Sequence, residues 1–278
     1  MMRRFATAVG ASIFIACETT APPASDGTTE AFLARHHLTE SVAHHAELVK
    51  AAELVNALLS PDMELQLSDE VGHPGAVPII VARGGGLTDK EVMFVPEEGE
   101  RIVVSADAVN RFVRSLSGTG DAGMDVDMSE VLALLLLHEA GHIRDERDHR
   151  RPSGSGLTEQ DLLAPWETTT HAELRADKFA AGRIGAAMTS KSVDAFSAGV
   201  ALSMLVPKLC WNLTSTRLLE HFGGTTLGDT TLFREAATYA HPNLELRFLT
   251  LDFALSKSDT ARAAVLQFWQ HRQRPQQQ

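Results

Sequence analysis

Seven apolar residues, Val131 to Leu137, run without a break into His138-Glu139-Ala140-Gly141-His142. A helix that is apolar on every side is a buried helix, not a surface one. This one therefore delivers three ionisable groups to the interior, and buried ionisable groups need partners. His-Glu-x-x-His on a helix meets that need with a metal, for a geometric reason. A helix turns about 100° per residue, so His138 and His142 stack on one face roughly 6 Å apart along the axis, close enough to share one ion. Glu139 is one residue round, flanking that face without occupying it. It is the candidate general base.

A catalytic zinc takes three protein ligands and keeps a fourth position open for water. The metzincin spacing is excluded, because it requires Gly at position 145 and His at position 148, where this chain has Asp145 and Asp148. The third ligand is instead sought in His171-Ala-Glu173-Leu-Arg-Ala-Asp177. Glu173 and Asp177 are four apart and share a helix face that Ala176, Ala180, Ala181 and Ile184 continue. Small residues there allow close approach to the first helix. Glu173 would complete a two-His, one-Glu site, and Asp177 would accept a hydrogen bond from the ring nitrogen of a ligand His that faces away from the metal. Two alternatives stand beside this assignment. Thr170-x-x-Glu173 also fits a capping box, in which the Glu only closes the start of its helix. His149 and His171 are ligands by chemistry alone.

His138-Glu139-x-x-His142, followed by Glu173-Leu-Arg-Ala-Asp177 and then by His241-Pro242-Asn-Leu-Glu-Leu-Arg247, resembles the gluzincin peptidases of the HtpX and type I CAAX prenyl protease family. The likeness is to a lipoprotein-type member without transmembrane helices. It implies that His138, His142 and Glu173 bind one zinc ion per chain, that Glu139 is the catalytic base, and that His241 is a substrate or transition-state contact. Arg247 would support the site. Tyr239, two residues before His241, is a further candidate donor to a developing oxyanion.

The N-terminus reads as an export signal. Met1-Met2-Arg3-Arg4 is basic, Phe5 to Ala16 is an apolar run too short to span a bilayer, and Cys17 stands where a lipoprotein is acylated. Residues 1–17 are thus expected to be a lipoprotein signal ending at a lipidated Cys17, with plain secretion as the alternative. Residues 18–30 are polar and turn-rich, a flexible stalk. A peptidase domain is expected over 31–270, and residues 271–278 are a frayed tail. This places the protein in a cell envelope, tethered to a membrane and facing the periplasm. The net charge of −11 argues against a nucleic-acid partner, which would call for a clustered basic face.

The expected fold class is α+β and mostly helical: a zincin-like metallopeptidase domain with a small β-sheet beside the active-site helix. Residues 31–62 read as a helical segment that contains His36, His37, His44 and His45 and ends at Pro61. The four histidines are read as surface residues, with accessory metal binding the other possibility. Glu64–Leu67, Val77–Ala82, Glu91–Val95 and Arg101–Val104 are short, β-prone and separated by Gly and Pro turns. One of them would bind substrate backbone by strand addition. Asp127-x-x-Glu130 is the expected N-cap of the motif helix. Ala195–Leu213 reads as a buried hairpin interrupted at Pro207.

The function this implies is zinc-dependent hydrolysis of peptide bonds, in envelope or misfolded proteins, with Glu139 activating the attacking water. The alternative is a metal-stabilised binding or chaperone-like lipoprotein with little proteolysis. Glu139 argues against that alternative, since a site kept only for structure has no use for a base.

Overall fold

The computed structural model describes residues 29–68, 76–84, 87, 92–96, 100–116, 124–149, 165–221, 251–252 and 254–256. Helix α1 spans Thr29–Arg35, strand β1 Leu38–Glu40, α2 His45–Asn56, β2 Leu65–Leu67, β3 Val77–Gly84, β4 Met93–Phe94 and β5 Ile102–Ser105. Three of the four remaining helices are long: α3 Ala106–Leu116, α4 Met128–His149, α5 Pro165–Ala187 and α6 Val193–His221. The fold is mixed α+β and mostly helical, with one small sheet, as expected.

Each of the four β-prone segments contributes a strand. The pairing order runs β4, β5, β3, with β4 antiparallel and β3 parallel to β5. The far edge of β3 is shared in succession by β2, parallel from Leu65↔Val77 to Leu67↔Ile79, and β1, antiparallel from Glu40↔Ala82 to Leu38↔Gly84. The continuous Val/Ile run of β3 is explained by burial on both faces. Ile79 and Val81, with Ile102 and Val104, enter the main core with Leu48, Val55, Leu132 and Leu136. Ile80, Ala82 and Val103 face the other way, onto Phe32 and Leu33 of α1. The sheet thus lies between α1 and the large helical layer.

The stretch 31–62 is not one helical run. α1 begins at Thr29, inside the expected stalk, and stops at Arg35. His37 (φ 53°) and His44 (φ 61°) both adopt the left-handed region, which ends a helix. Histidine tolerates that region better than most residues, so the two His pairs act as breaks that release Leu38–Glu40 to pair with β3. The apolar periodicity was real, but the ladder on β3 overrides it. α2 also ends before Pro61. Its last residue, Asn56, donates to the Leu65 carbonyl (2.9 Å) and accepts from the Leu65 amide (2.8 Å), turning the chain directly into β2.

The motif helix α4 is capped as expected. The Asp127 carboxylate accepts from the amides of Ser129 (2.8 Å) and Glu130 (3.2 Å). Val131, Leu132, Ala133, Leu134, Leu136 and Leu137 are all buried, so α4 is a central helix, packed between α2 and α5 and touching α6 and β4. α6 is a single helix with Pro207 inside it and not the expected hairpin. Leu202, Leu205, Val206 and Leu209 form one unbroken buried face across the proline, and that packing carries the helix through. The outer face of α6 leaves Val193, Phe196, Met204 and Trp211 exposed.

Candidate metal centre

α4 and α5 bring the two sequence motifs together. His138 and His142 come from consecutive turns of α4, and Glu173 comes from α5. The Nε2 atoms of the two histidines are 3.0 Å apart. One Glu173 oxygen is 3.3 Å from His138 Nε2 and the other 3.2 Å from His142 Nε2. Donor atoms on a tetrahedral zinc, with bonds of about 2.0–2.1 Å, are separated by about 3.3 Å. The separations here are close to that, with the carboxylate turning one oxygen to each ring, and one ligand atom from each residue lies within 4.8 Å of the others. Two imidazoles turned edge to face and one carboxylate, converging at this spacing, form a group that could hold a metal ion. Among the described residues it is the one such group, and none of His36, His37, His44 and His45 belongs to one.

Asp177 behaves as its position four residues after Glu173 predicts. Its Oδ1 accepts from His138 Nδ1 at 2.8 Å, on the ring edge opposite the donor triangle. This hydrogen bond places the proton on Nδ1 and leaves the Nε2 lone pair directed at the site. Asp177 is only 3 % exposed, so the pair is made in a weakly screened interior.

Glu139 is also buried, at 7 % exposure. Among the described residues, no hydrogen bond or ion pair engages its carboxylate. It stands next to the donor triangle on the same helix, one residue after His138.

The capping-box alternative for Glu173 does not form. α5 starts at Pro165, a favoured first helical residue, so Thr170 and Glu173 both lie inside the helix. His171 lies in α5 and His149 closes α4, and their side chains lie outside the described residues. Ala176, Ala180, Ala181 and Ile184 are buried along the face that Glu173 and Asp177 begin. A β-carbon added to Gly141 would come within 2.8 Å of the Ala176 α-carbon, so the small-residue face does permit the close approach expected of it. Tyr239, His241, Arg247 and Cys17 lie outside the described residues.

One pair at the site was missed in the sequence. Arg175 makes a forked contact with Asp145, with N–O distances of 2.7 to 2.9 Å, tying α5 to α4 just beyond His142. Its signal was present as opposite charges two residues after Glu173 and three after His142, but charges of both signs crowd that end of α4 and none stands out.

No protein-family model, no curated protein and no solved structure matches this chain.

Proposed function

We propose that this chain is a zinc-dependent endopeptidase with a zincin-like arrangement of the gluzincin type. The observation that carries the reading is the convergence of His138, His142 and Glu173 with Glu139 beside them, its carboxylate engaged by no hydrogen bond or ion pair among the described residues. A site that only stabilised the fold would have the triangle without the spare carboxylate.

His138, His142 and Glu173 would hold the ion, and Asp177 would orient His138 from behind. Zinc, when bound, supplies a Lewis acid that polarises a peptide carbonyl and acidifies water. Glu139 accepts a proton at its carboxylate from the water that attacks the scissile carbonyl carbon. A C–O bond forms, the C–N bond breaks, and the same carboxyl returns the proton to the leaving amine nitrogen.

Substrate backbone would add to β4. It is the edge strand of the sheet, paired to β5, and it touches α4. Protein or peptide substrates in a cell envelope, reached from a lipid anchor at Cys17, complete the proposal. Those last elements rest on the sequence motifs and their resemblance to the HtpX and type I CAAX prenyl protease family.

The test is Glu139→Gln in the full chain, assayed on an unfolded protein substrate. The variant should keep its metal and lose cleavage by about 10²- to 10⁴-fold, the usual contribution of a general base. Equal turnover would remove Glu139 from this role. Metal bound by the parent with no cleavage of any unfolded protein would favour the binding or chaperone-like reading instead.

A further inference from the structure

Gly141 is the fourth residue of the motif and has no side chain to offer the donor triangle, yet its backbone lies tight against the other ligand helix. A β-carbon built on it would stand 2.8 Å from the Ala176 α-carbon, 3.1 Å from the Ala176 β-carbon and 3.1 Å from the Ala176 carbonyl oxygen. Two of these three atoms are backbone, so the obstruction cannot rotate away. Gly182 and Gly185 of α5 differ, since a β-carbon at either meets nothing within 4 Å. Glycine inside a helix costs about 0.5–1 kcal/mol relative to alanine, and of the three glycines in α4 and α5 only Gly141 has a contact that explains that cost.

The two contact points are placed alike within their motifs. Gly141 lies three residues after His138 and one before His142, and Ala176 lies three after Glu173 and one before Asp177. The Gly141–Ala176 contact therefore falls on the turns of α4 and α5 that carry the donors, so a change in helix separation there reaches the triangle. On the outer side, the Asp145–Arg175 fork draws the helices together. The backbone of Gly141 meeting Ala176 is where that closure stops.

We infer that Gly141 is a positioning residue that sets the spacing of the two helices and thereby the size of ion that His138, His142 and Glu173 accept. This rests on the metal reading of the site and goes beyond it by assigning ion selectivity to a residue that cannot ligate. Carbon atoms in contact sit about 3.5–4.0 Å apart. Relieving a 2.8 Å approach therefore moves the helices apart by about 0.8 Å, against a tolerance of about 0.2 Å in metal–ligand distances. The widened triangle suits a larger ion with longer bonds better than it suits zinc.

The experiment titrates zinc and cadmium separately into the metal-free full chain, in competition with a chromophoric chelator. The parent is compared with Gly141→Ala, Gly182→Ala, Gly185→Ala and Ala176→Gly. Gly141→Ala is expected to lose zinc affinity at least tenfold and cadmium affinity by less, so that the zinc-to-cadmium preference falls. The two α5 controls should stay within twofold of the parent. Ala176→Gly trims the same contact from the other side and should move the preference toward zinc, which keeps the inference testable should Gly141→Ala not fold. Unchanged zinc affinity in Gly141→Ala, equal losses for both ions, or an unmoved preference in Ala176→Gly would overturn the role of Gly141. A folded parent that binds neither ion would overturn the metal reading itself, and this inference with it.

Discussion

Removing the charge behind His138 should weaken metal binding without dismantling the site. Asp177 Oδ1 accepts from His138 Nδ1 at 2.8 Å, and both side chains are buried. The bond does two things: it fixes the ring so that Nε2 faces Glu173 and His142, and it places a negative charge where it raises the basicity of the donor nitrogen. Outer partners of metal-bound histidines are typically worth 10- to 100-fold in affinity, or about 1.4–2.8 kcal/mol. Asp177→Asn keeps an oxygen able to accept the hydrogen bond and loses only the charge, so it should fall near tenfold. Asp177→Ala also frees the ring and strands Nδ1–H in a site with almost no access to water, so it should fall near 100-fold. Chelator competition on the full chain reads both, with far-UV circular dichroism confirming that helix content is kept. Zinc affinity in folded Asp177→Ala within twofold of the parent would refute the reasoning, because it would mean that the contact neither orients nor charges His138.

Three further outcomes follow from contacts elsewhere in the fold. Asn212 donates to the carbonyls of Leu116 (2.9 Å) and Met124 (2.7 Å) and accepts from the Met124 amide (2.7 Å). Asn212→Ala strands three backbone groups and should cost about 3 kcal/mol, a fall in Tm of about 6–12 °C by calorimetry; a fall under 2 °C would contradict it. Burial raises the Glu130 carboxyl above its ordinary 4.5, with Asp127 adding to the rise and Lys208 opposing it. An acid with a raised folded pKa contributes stability that is fully present below its unfolded value and is lost as pH climbs through the folded one. Glu130→Gln should therefore raise Tm at pH 7 and give no gain below pH 4, and the reverse order would overturn the assignment. Burial, reinforced by Asp252, pushes the Cys210 thiol up to about 12. Its peptide should resist iodoacetamide at pH 8 in the native chain and react in urea, read by mass spectrometry, and equal rates would show that the thiol is not shielded.

The site was legible in the sequence to the extent that it rests on helical periodicity. His138, His142, Glu173 and Asp177 are each fixed by a four-residue spacing on a helix, and the apolar run of α4 and the alanine face of α5 told the two helices to pack. Strand positions were legible too, because β3 is buried on both faces and wrote a continuous Val/Ile run. The errors came where a local pattern met a long-range competitor. Periodicity alone continued a helix through His37 and His44, whereas pairing of Leu38–Glu40 with β3 needed two left-handed histidines to form. Pro207 argued for a break in α6, and four buried aliphatic residues spanning it decided otherwise. Thr170 looked like a cap because its pattern with Glu173 is local, whereas the earlier start signal, Pro165 at the first helical position, went unread. The Asp145–Arg175 fork depends on the crossing of two helices, which no spacing within one of them encodes.

The proposed function stands on one metal ion held by His138, His142 and Glu173. Elemental analysis of the purified full chain beside its Glu173→Ala variant tests it most directly. Zinc near one per chain is expected in the parent, with a steep loss in the variant, whose two remaining histidines make an incomplete site. A folded parent without zinc, or a variant that keeps as much as the parent, would contradict it.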